Sequence, residues 1–446
     1  MKGTTVTLEE LLSPLKQYFL KDTFIRSDIN NAPPLRAELF TLEQFGQHAS
    51  ELALRHEITE KKTSEHLLKR LAENEDVLIH VIDLLQEAVQ NKTPIAPAGE
   101  WLLDNFYLID EQIQIGKKHL PKGYSKGLPK LTGSSGAHAG LPRVYDIAIE
   151  IISHSDGHLD IHILNRFIEA YQKISELTLG ELWAIPIMLR LALLENLRRV
   201  AARVAIDRID ANSAHHWADC IIETAEKNPK NLVLTMADMA RSNPPMVSAF
   251  IAEYSRKLQW KGVNLTLPLS WIEQHLVETG DTINGMVLAE NQKQAADHVS
   301  MSNSIKSLRF LAKTNWREFI ESMSLVERTL REDVNKVYSL MDFYTRDQYR
   351  HSVEKIAKKA RLSEHDVARA VIKLAKEHSE TGTGDQHKSH VGYYLIGNGL
   401  KTTEKILKAR NSFIGFFKEL FTNNASTFYV LGKHPPHCIY CRWACF

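Results

Sequence analysis

The chain has 446 residues, 43% of them apolar and 24% charged, an apolar share that excludes a disordered polypeptide. Its 55 basic and 54 acidic side chains leave a formal net charge of +1, which argues against a generally basic nucleic-acid binder. No long uninterrupted apolar run is present and MKGTTVTLEELLSPLKQYF turns amphipathic at once, so neither a bilayer span nor a signal peptide is expected.

In chain order the pattern is helical. Residues 65–90 set Leu68, Leu71, Leu78, Val81, Ile82, Leu85 and Val89 at three- and four-residue steps, one stripe of an amphipathic helix. Capping boxes, in which a hydroxyl accepts from a first-turn amide while an acid or amide side chain reaches back, are expected at six places. They are Thr7 with Glu10, Thr41 with Gln44, Thr178 with Glu181, Ser270 with Glu273, Ser324 with Glu327 and Ser363 with Asp366. PIAPAGE (94–100) ends an N-terminal helical unit, and loops are expected at 120–143 and 378–390. The best strand candidate, VNLTLPL (263–269), is demoted by its proline.

Several stretches carry candidate chemistry. EWLLDNFYLIDEQI (100–113) combines Glu100 and Asp104 with Trp101, Phe106 and Tyr107; carboxylates beside aromatic rings suit sugar hydroxyls and ring faces, but the same pattern describes an ordinary helix with rings inward. HSDGHLDIH (154–162) alternates His154, Asp156, His158, Asp160 and His162, which on a strand would form a metal face. Flanking apolar periodicity favours a helix–helix connector with Asp160 as a cap. The glycines of TGSSGAHAG and TGTGD lack the strand–loop–helix setting of a phosphate cradle and read as loops. LTLGELWAIPIMLRLALLENLRRVAARVAI (177–206) is the most apolar long stretch, yet Arg190 and Glu195 would be costly in a bilayer, so it reads as a buried helix.

Residues 353–377 have a helix-turn-helix rhythm, with Leu362 filling the turn and Ser363 capping a second helix that bears Val367, Val371 and Leu374. Glu364 and Asp366 at the start of that second helix would repel phosphates, so an ordinary helical hairpin is favoured. Cys220 reads as a buried thiol. The other cysteines, Cys438, Cys441 and Cys445, crowd the last nine residues, so no disulfide framework runs through the fold. Lys401, Lys405, Lys408, Arg410 and Lys418 precede the apolar FYVLG (428–432), as in the basic flank of a membrane helix. The tail KHPPHCIYCRWACF offers His434, His437, Cys438 and Cys441 as a weak zinc or redox set, but its style departs from the rest and favours an interrupted reading frame.

From EWLLDNFYLIDEQI onward the sequence resembles the N-terminal helical region of the bacterial cyclic β-1,2-glucan synthases. The likeness runs through LPKGYSKGLPKL (120–131), GLPRVYDIAIEIISHSDGHLD (140–160) and LTLGELWAIPIMLRLALLENLRR (177–199), then resumes over 302–360 and HVGYYLIGNGL (390–400). The resemblance implies a large inner-membrane enzyme that builds a β-1,2-glucan on itself from UDP-glucose, then cyclises and releases it. The present region would precede the membrane helices and transferase core.

The expectation is therefore an all-α, multi-helix array with long loops and little or no β-sheet. Residues 1–93 would form an N-terminal helical unit, 94–400 the main helical domain, 401–432 a basic juxtamembrane segment leading into a membrane helix, and 433–446 an aberrant tail. Function would be that of an accessory scaffold, truncated and without catalytic residues, lying at the cytoplasmic face of the inner membrane. No cofactor is expected in this chain; UDP-glucose and a divalent metal are implied for the full-length family. Partners would be the rest of the synthase, the inner-membrane surface and β-1,2-glucan, with no nucleic acid. If glucan binds, the expected residues are Trp101, Asp104, Tyr107, Arg143, Tyr145, Glu181 and Trp183.

Overall fold

A computed structural model describes residues 33–59, 66–120, 127–132, 139–259, 265–380 and 386–408. The Thr7–Glu10 box, the middle of TGSSGAHAG, TGTGD, the segment 409–432 and the tail with His434, His437, Cys438 and Cys441 lie outside the described residues. Within them the fold is all-α, as expected. The sheet is a single antiparallel pair, β1 (Ile58–Thr59) and β2 (Lys130–Leu131), with Ile58 opposite Leu131.

The chain divides into two compact units. The first holds the residues up to Glu176 together with Trp183–Trp316. Its helices are α1 (Leu42–Arg55), α2 (Leu67–Gln90), α3 (Pro97–His119), α4 (Arg143–His154), α5 (Ile161–Gln172), most of α6 (Leu179–Lys227), α7 (Leu232–Arg241), α8 (Ser248–Gln259), α9 (Thr266–Thr279) and α10 (Ile283–Lys313). The second holds Leu177–Leu182 and the residues from Arg317 on. It contains α11 (Trp316–Met323) from Arg317, α12 (Leu325–Leu330), α13 (Val337–Leu340), α14 (Phe343–Ala360), α15 (Glu364–Glu380), α16 (Val391–Leu395) and α17 (Leu400–Ile406). The division falls between Trp316 and Arg317, while α2 and α3, on either side of residue 94, pack on each other.

Apolar periodicity sets the packing of the first unit. On α2, Leu71, Leu78, Val81, Ile82 and Leu85 are buried, while Leu68 is only half-buried and Val89 is exposed. Leu67 and Ala88 take the ends of the stripe instead, because 3.6 residues per turn drift against a strict repeat over 24 residues. The middle of α6 is enclosed all round: Leu189, Ala192, Leu193, Leu194, Leu197 and Val200 are fully buried. Pro186 lies inside α6, where its ring nitrogen cannot donate to the preceding turn. No helix among the described residues is long and apolar enough to cross a membrane.

Local signals fix many helix starts. Thr41 accepts from Gln44 N while the Gln44 side chain takes the Thr41 amide at 2.8 Å, a complete box. Thr178 and Glu181 form another. Asp160 caps α5 by accepting from His162 N and Ile163 N, both at 2.8 Å. Ser324 and Ser363 accept their amides. Ser270 starts nothing: of the 263–269 stretch that offered the best strand, 263–264 lie outside the described residues and the rest enters α9 at Thr266, with Pro268 in the first turn, where a missing N–H costs no helical bond.

In the second unit α14 ends at Arg361, which adopts a left-handed conformation (φ 57°), and α15 begins three residues later. The two helices pack as the hairpin favoured above, with Val367 and Val371 fully buried. Leu362 does not fill the turn; it is 42% exposed, and the helix end is closed through its backbone instead, Leu362 N donating to the Ala357 carbonyl at 3.2 Å after the left-handed Arg361.

Candidate functional site

Trp101, Asp104 and Tyr107 follow at three-residue steps on α3, so they share one side of it. Trp101 is half-buried, with the Lys306 ammonium 5.7 Å from its ring centroid and the His298 ring at 6.2 Å; Asp104 and Tyr107 face solvent. The other four lie elsewhere. Arg143 is buried, donating to Ser175 Oγ at 2.8 Å and the Glu176 carbonyl at 2.6 Å, with its guanidinium over the Tyr171 ring. Tyr145 is buried, and burial followed by the charge of Glu195 pushes its hydroxyl well above the ordinary tyrosine range. Glu181 is buried in its capping box, and Trp183 is half-buried in the first unit.

The HSDGHLDIH row does not align. His154 ends α4, Asp156 adopts φ 47° and accepts from Arg36 Nε at 3.2 Å, and Asp160 serves as the α5 cap. The segment is the helix–helix connector expected. Cys220, expected buried, is half-buried with His216 Nε2 at 3.9 Å, because α6 turns this face toward the surface there.

A cavity of about 200 Å³ opens in the first unit, and none of the seven residues above lines it. Its walls are the α2–α3 link (Pro94, Ile95), α6 (Asp207, Arg208, His215), α8 (Glu253, Arg256) and α10 (Glu290, Gln294). Lys293 Nζ stands 2.7 Å from Asp207 Oδ1 and 2.7 Å from Glu290 Oε2, so one ammonium bridges two acids. Ser248 Oγ and Gln294 Nε2 also donate to Glu290, at 2.7 and 2.8 Å.

Burial pushes the Asp207 carboxyl up to about 6, against the pull of Lys293 and helped by the charge of Glu290. Burial acts on Glu290 in the same sense, but the donors Lys293, Gln294 and Ser248 hold it below its ordinary value. Across the cavity, hydrogen bonds from His215 and Arg256 outweigh burial and bring Glu253 down to about 2. Two acids whose affinities are pushed apart around one cation can hold a proton near neutral pH and accept hydroxyl hydrogen bonds. The volume is below the roughly 300–1,000 Å³ of common small-molecule sites, which suits one small polar group.

No family model matches the chain. The chain is 30% identical, over 339 residues, to the cyclic beta-(1,2)-glucan synthase NdvB of Rhizobium meliloti (strain 1021). The match covers 75% of this chain and 12% of that protein. The chain belongs to the cyclic β-(1,2)-glucan synthase family.

In this glucan-synthase family member, the blocks that carried the resemblance are largely packing. EWLLDNFYLIDEQI places Leu102, Ile109 and Ile113 in the core, and GLPRVYDIAIEIISHSDGHLD buries Val144, Ile147, Ile151 and Ile152. Asp146 of that block bonds His56 Nε2 at 2.9 Å, while His56 Nδ1 meets the Tyr171 hydroxyl at 2.8 Å. The cavity acids had no motif to reveal them: they come from three helices far apart in sequence. The available signal was an acid at an interior position of α10, since Glu290 is buried there.

Proposed function

We propose that this chain is a helical accessory region of a cyclic β-1,2-glucan synthase, packing on the transferase core and transferring no sugar by itself. The match to a synthase of which the chain spans only 12% carries this reading. It is supported by the use of the chain's buried charges as internal ties: Glu195 accepts from Arg70, Arg198, Arg199 and Asn74, and Glu327 from Arg331, Arg350 and Tyr338. In this reading UDP-glucose and its divalent metal are handled by the rest of the synthase. The chain needs no cofactor for the scaffold role and works at the cytoplasmic face of the inner membrane. The test has two arms. Incubated with radiolabelled UDP-glucose and a divalent metal, the chain makes no glucan; labelled product overturns the proposal. Supplied in trans to the Rhizobium meliloti synthase lacking the matching segment, it restores glucan formation, and no restoration overturns the scaffold role.

A second reading, glucan binding, is favoured by the acid-lined cavity beside Asp207 and Glu290, whose size admits the edge of a single sugar unit rather than a whole oligosaccharide. Titration with β-1,2-glucooligosaccharides, followed by tryptophan emission, changes the signal under this reading in the parent and not in Asp207→Asn. A flat parent titration ends it.

A further inference from the structure

His48 on α1 and Glu150 and His154 on α4 turn three ligating atoms onto one point, all within 4.8 Å of one another. Glu150 and His154 are four residues apart, hence on one face of α4. His48 Nε2 is 2.7 Å from Glu150 Oε2, and His154 Nε2 is 3.5 Å from the same oxygen. Segment 36–40 is docked on the end of α4, with Ala37 N donating to the Ser153 carbonyl at 3.0 Å and Phe40 N to the His154 carbonyl at 3.1 Å.

This docking sets the His154 ring. Its Nδ1 lies 2.7 Å from the Glu38 carbonyl oxygen, which only accepts, so Nδ1 carries a proton. The Phe40 ring stacks flat on the imidazole at 3.8 Å and 8°, and a ring flip would break the Glu38 bond. In the neutral ring the Nε2 lone pair then faces a carboxylate oxygen, acceptor against acceptor. A cation between them converts that opposition into coordination. A carbonyl holding the far nitrogen is also the usual outer support of a metal-bound histidine.

We propose that His48, Glu150 and His154 bind a divalent transition-metal ion of the zinc class, with water at a fourth position. Two imidazole nitrogens and one carboxylate oxygen are a donor set that zinc takes in three-ligand sites, whereas magnesium and calcium prefer all-oxygen shells. Bonds of about 2.0–2.2 Å at tetrahedral angles put ligand atoms roughly 3.3–3.5 Å apart; the two histidine–Glu150 separations, 2.7 and 3.5 Å, lie within about an ångström of that, and all three atoms lie within 4.8 Å of one another. The three side chains are 14–26% exposed, which leaves a path for the ion and room for its water.

The test uses the full chain with Cys438, Cys441 and Cys445 changed to Ser, so that tail thiols cannot bind. Calorimetric titration with zinc gives saturable binding of about one ion. His48→Gln and His154→Gln each weaken it by about 100-fold or more, a loss at least as large as that from removing an outer-shell partner. Without metal both variants melt near the parent. Absence of saturable binding, or unchanged affinity in the double variant, overturns the proposal. Should the variants fail to fold, X-ray absorption of the zinc-loaded parent decides: two imidazoles and no sulfur are expected, and fewer imidazoles or a sulfur shell refutes the site.

Discussion

Glu195 shows how one residue can organise the inside of the first unit. Its carboxylate is 1% exposed, takes a paired bond from Arg70 at 3.0 and 2.9 Å, and also accepts from Arg198, Arg199 and Asn74. Burial alone would raise its proton affinity; Arg70 first, then the charges of Arg199 and Arg198, hold it far below the usual carboxylate range. Glu195→Gln keeps the shape but leaves three guanidiniums without their anion. Loss of one partner from a buried ion pair costs about 3–5 kcal/mol, so the urea midpoint falls sharply at pH 7. Because the folded carboxyl is depressed, its contribution is present above the unfolded value near 4.3 and lost as pH falls through the folded one. The parent therefore loses stability from pH 5 toward pH 2 more steeply than the Gln variant, a difference that denaturation at several pH values reads directly.

Glu364 carries the opposite sign. Burial pushes its carboxyl up to about 7; the amide of Leu179, donating at 2.7 Å, pulls it down, and Glu354 and Glu181 add repulsion. A raised carboxyl favours the folded state below the unfolded value, and that advantage disappears as pH rises through about 7. Glu364→Gln can still accept from Leu179 N without a charge. The variant is expected to melt higher than the parent at pH 8 and close to it at pH 5; a constant gap at both would contradict the assignment.

Among elements, the α4–α5 connector is fixed by backbone shape and by the serines of α10. Gly157 sits at φ 76°, and Ser307 Oγ donates to its carbonyl at 2.7 Å. Asn303 Nδ2 donates to the Asp156 carbonyl at 3.2 Å. A Cβ on Gly157 would strike the Ser304 side chain and lie 3.3 Å from the Ser304 amide. Gly157→Ala is expected to cost about 2–4 kcal/mol, left-handed strain and overpacking together, whereas Gly180→Ala, in open space, costs little. Paired urea melts check the contrast.

The connector also shows what was legible in the sequence. Asp160 as a cap, the stripe of α2 and the complete boxes at Thr41 and Thr178 were readable because each depends on neighbours within a turn or on a fixed period. Ser324 kept only half its box, since Glu327 turns to Arg350 at 2.6 Å and to the Tyr338 hydroxyl at 2.7 Å. The strand pair at Lys130–Leu131 and the cavity acids were equally hidden, because their partners lie tens of residues away. The aromatic and acidic set proposed for glucan came from local composition; composition says nothing of whether Arg143 and Tyr145 face solvent or, as they do, the interior.

At the scale of the whole molecule, each unit has its own core and its own buried ionic centre. Around Glu327, which is fully buried, Arg350 donates at 2.6 Å and Arg331 at 2.9 Å. Arg350 and Arg346 also bind Glu321, at 3.0 and 2.8 Å, and Arg350 lies 5.0 Å from the Phe343 ring centroid. With the Tyr338 hydroxyl donating to Glu327 at 2.7 Å, these ties join α11, α12, α13 and α14, and the apolar cluster of Val353, Val367, Val371 and Val391 lies in the same unit. Glu327→Gln takes the fully buried anion from Arg350 and Arg331 and leaves Arg350 with Glu321 and Asp347, at 3.0 and 3.1 Å, as its remaining carboxylates, a change of about 3 kcal/mol at the low end of the buried-pair range. If stability is partitioned as the cores are, hydrogen exchange in this variant accelerates across 317–404 and stays near the parent across 67–176 and 183–313. In Glu195→Gln the pattern reverses. Equal acceleration of both regions in either variant would mean that the units open as one cooperative body, and the two ionic centres would then have to be treated as parts of a single network.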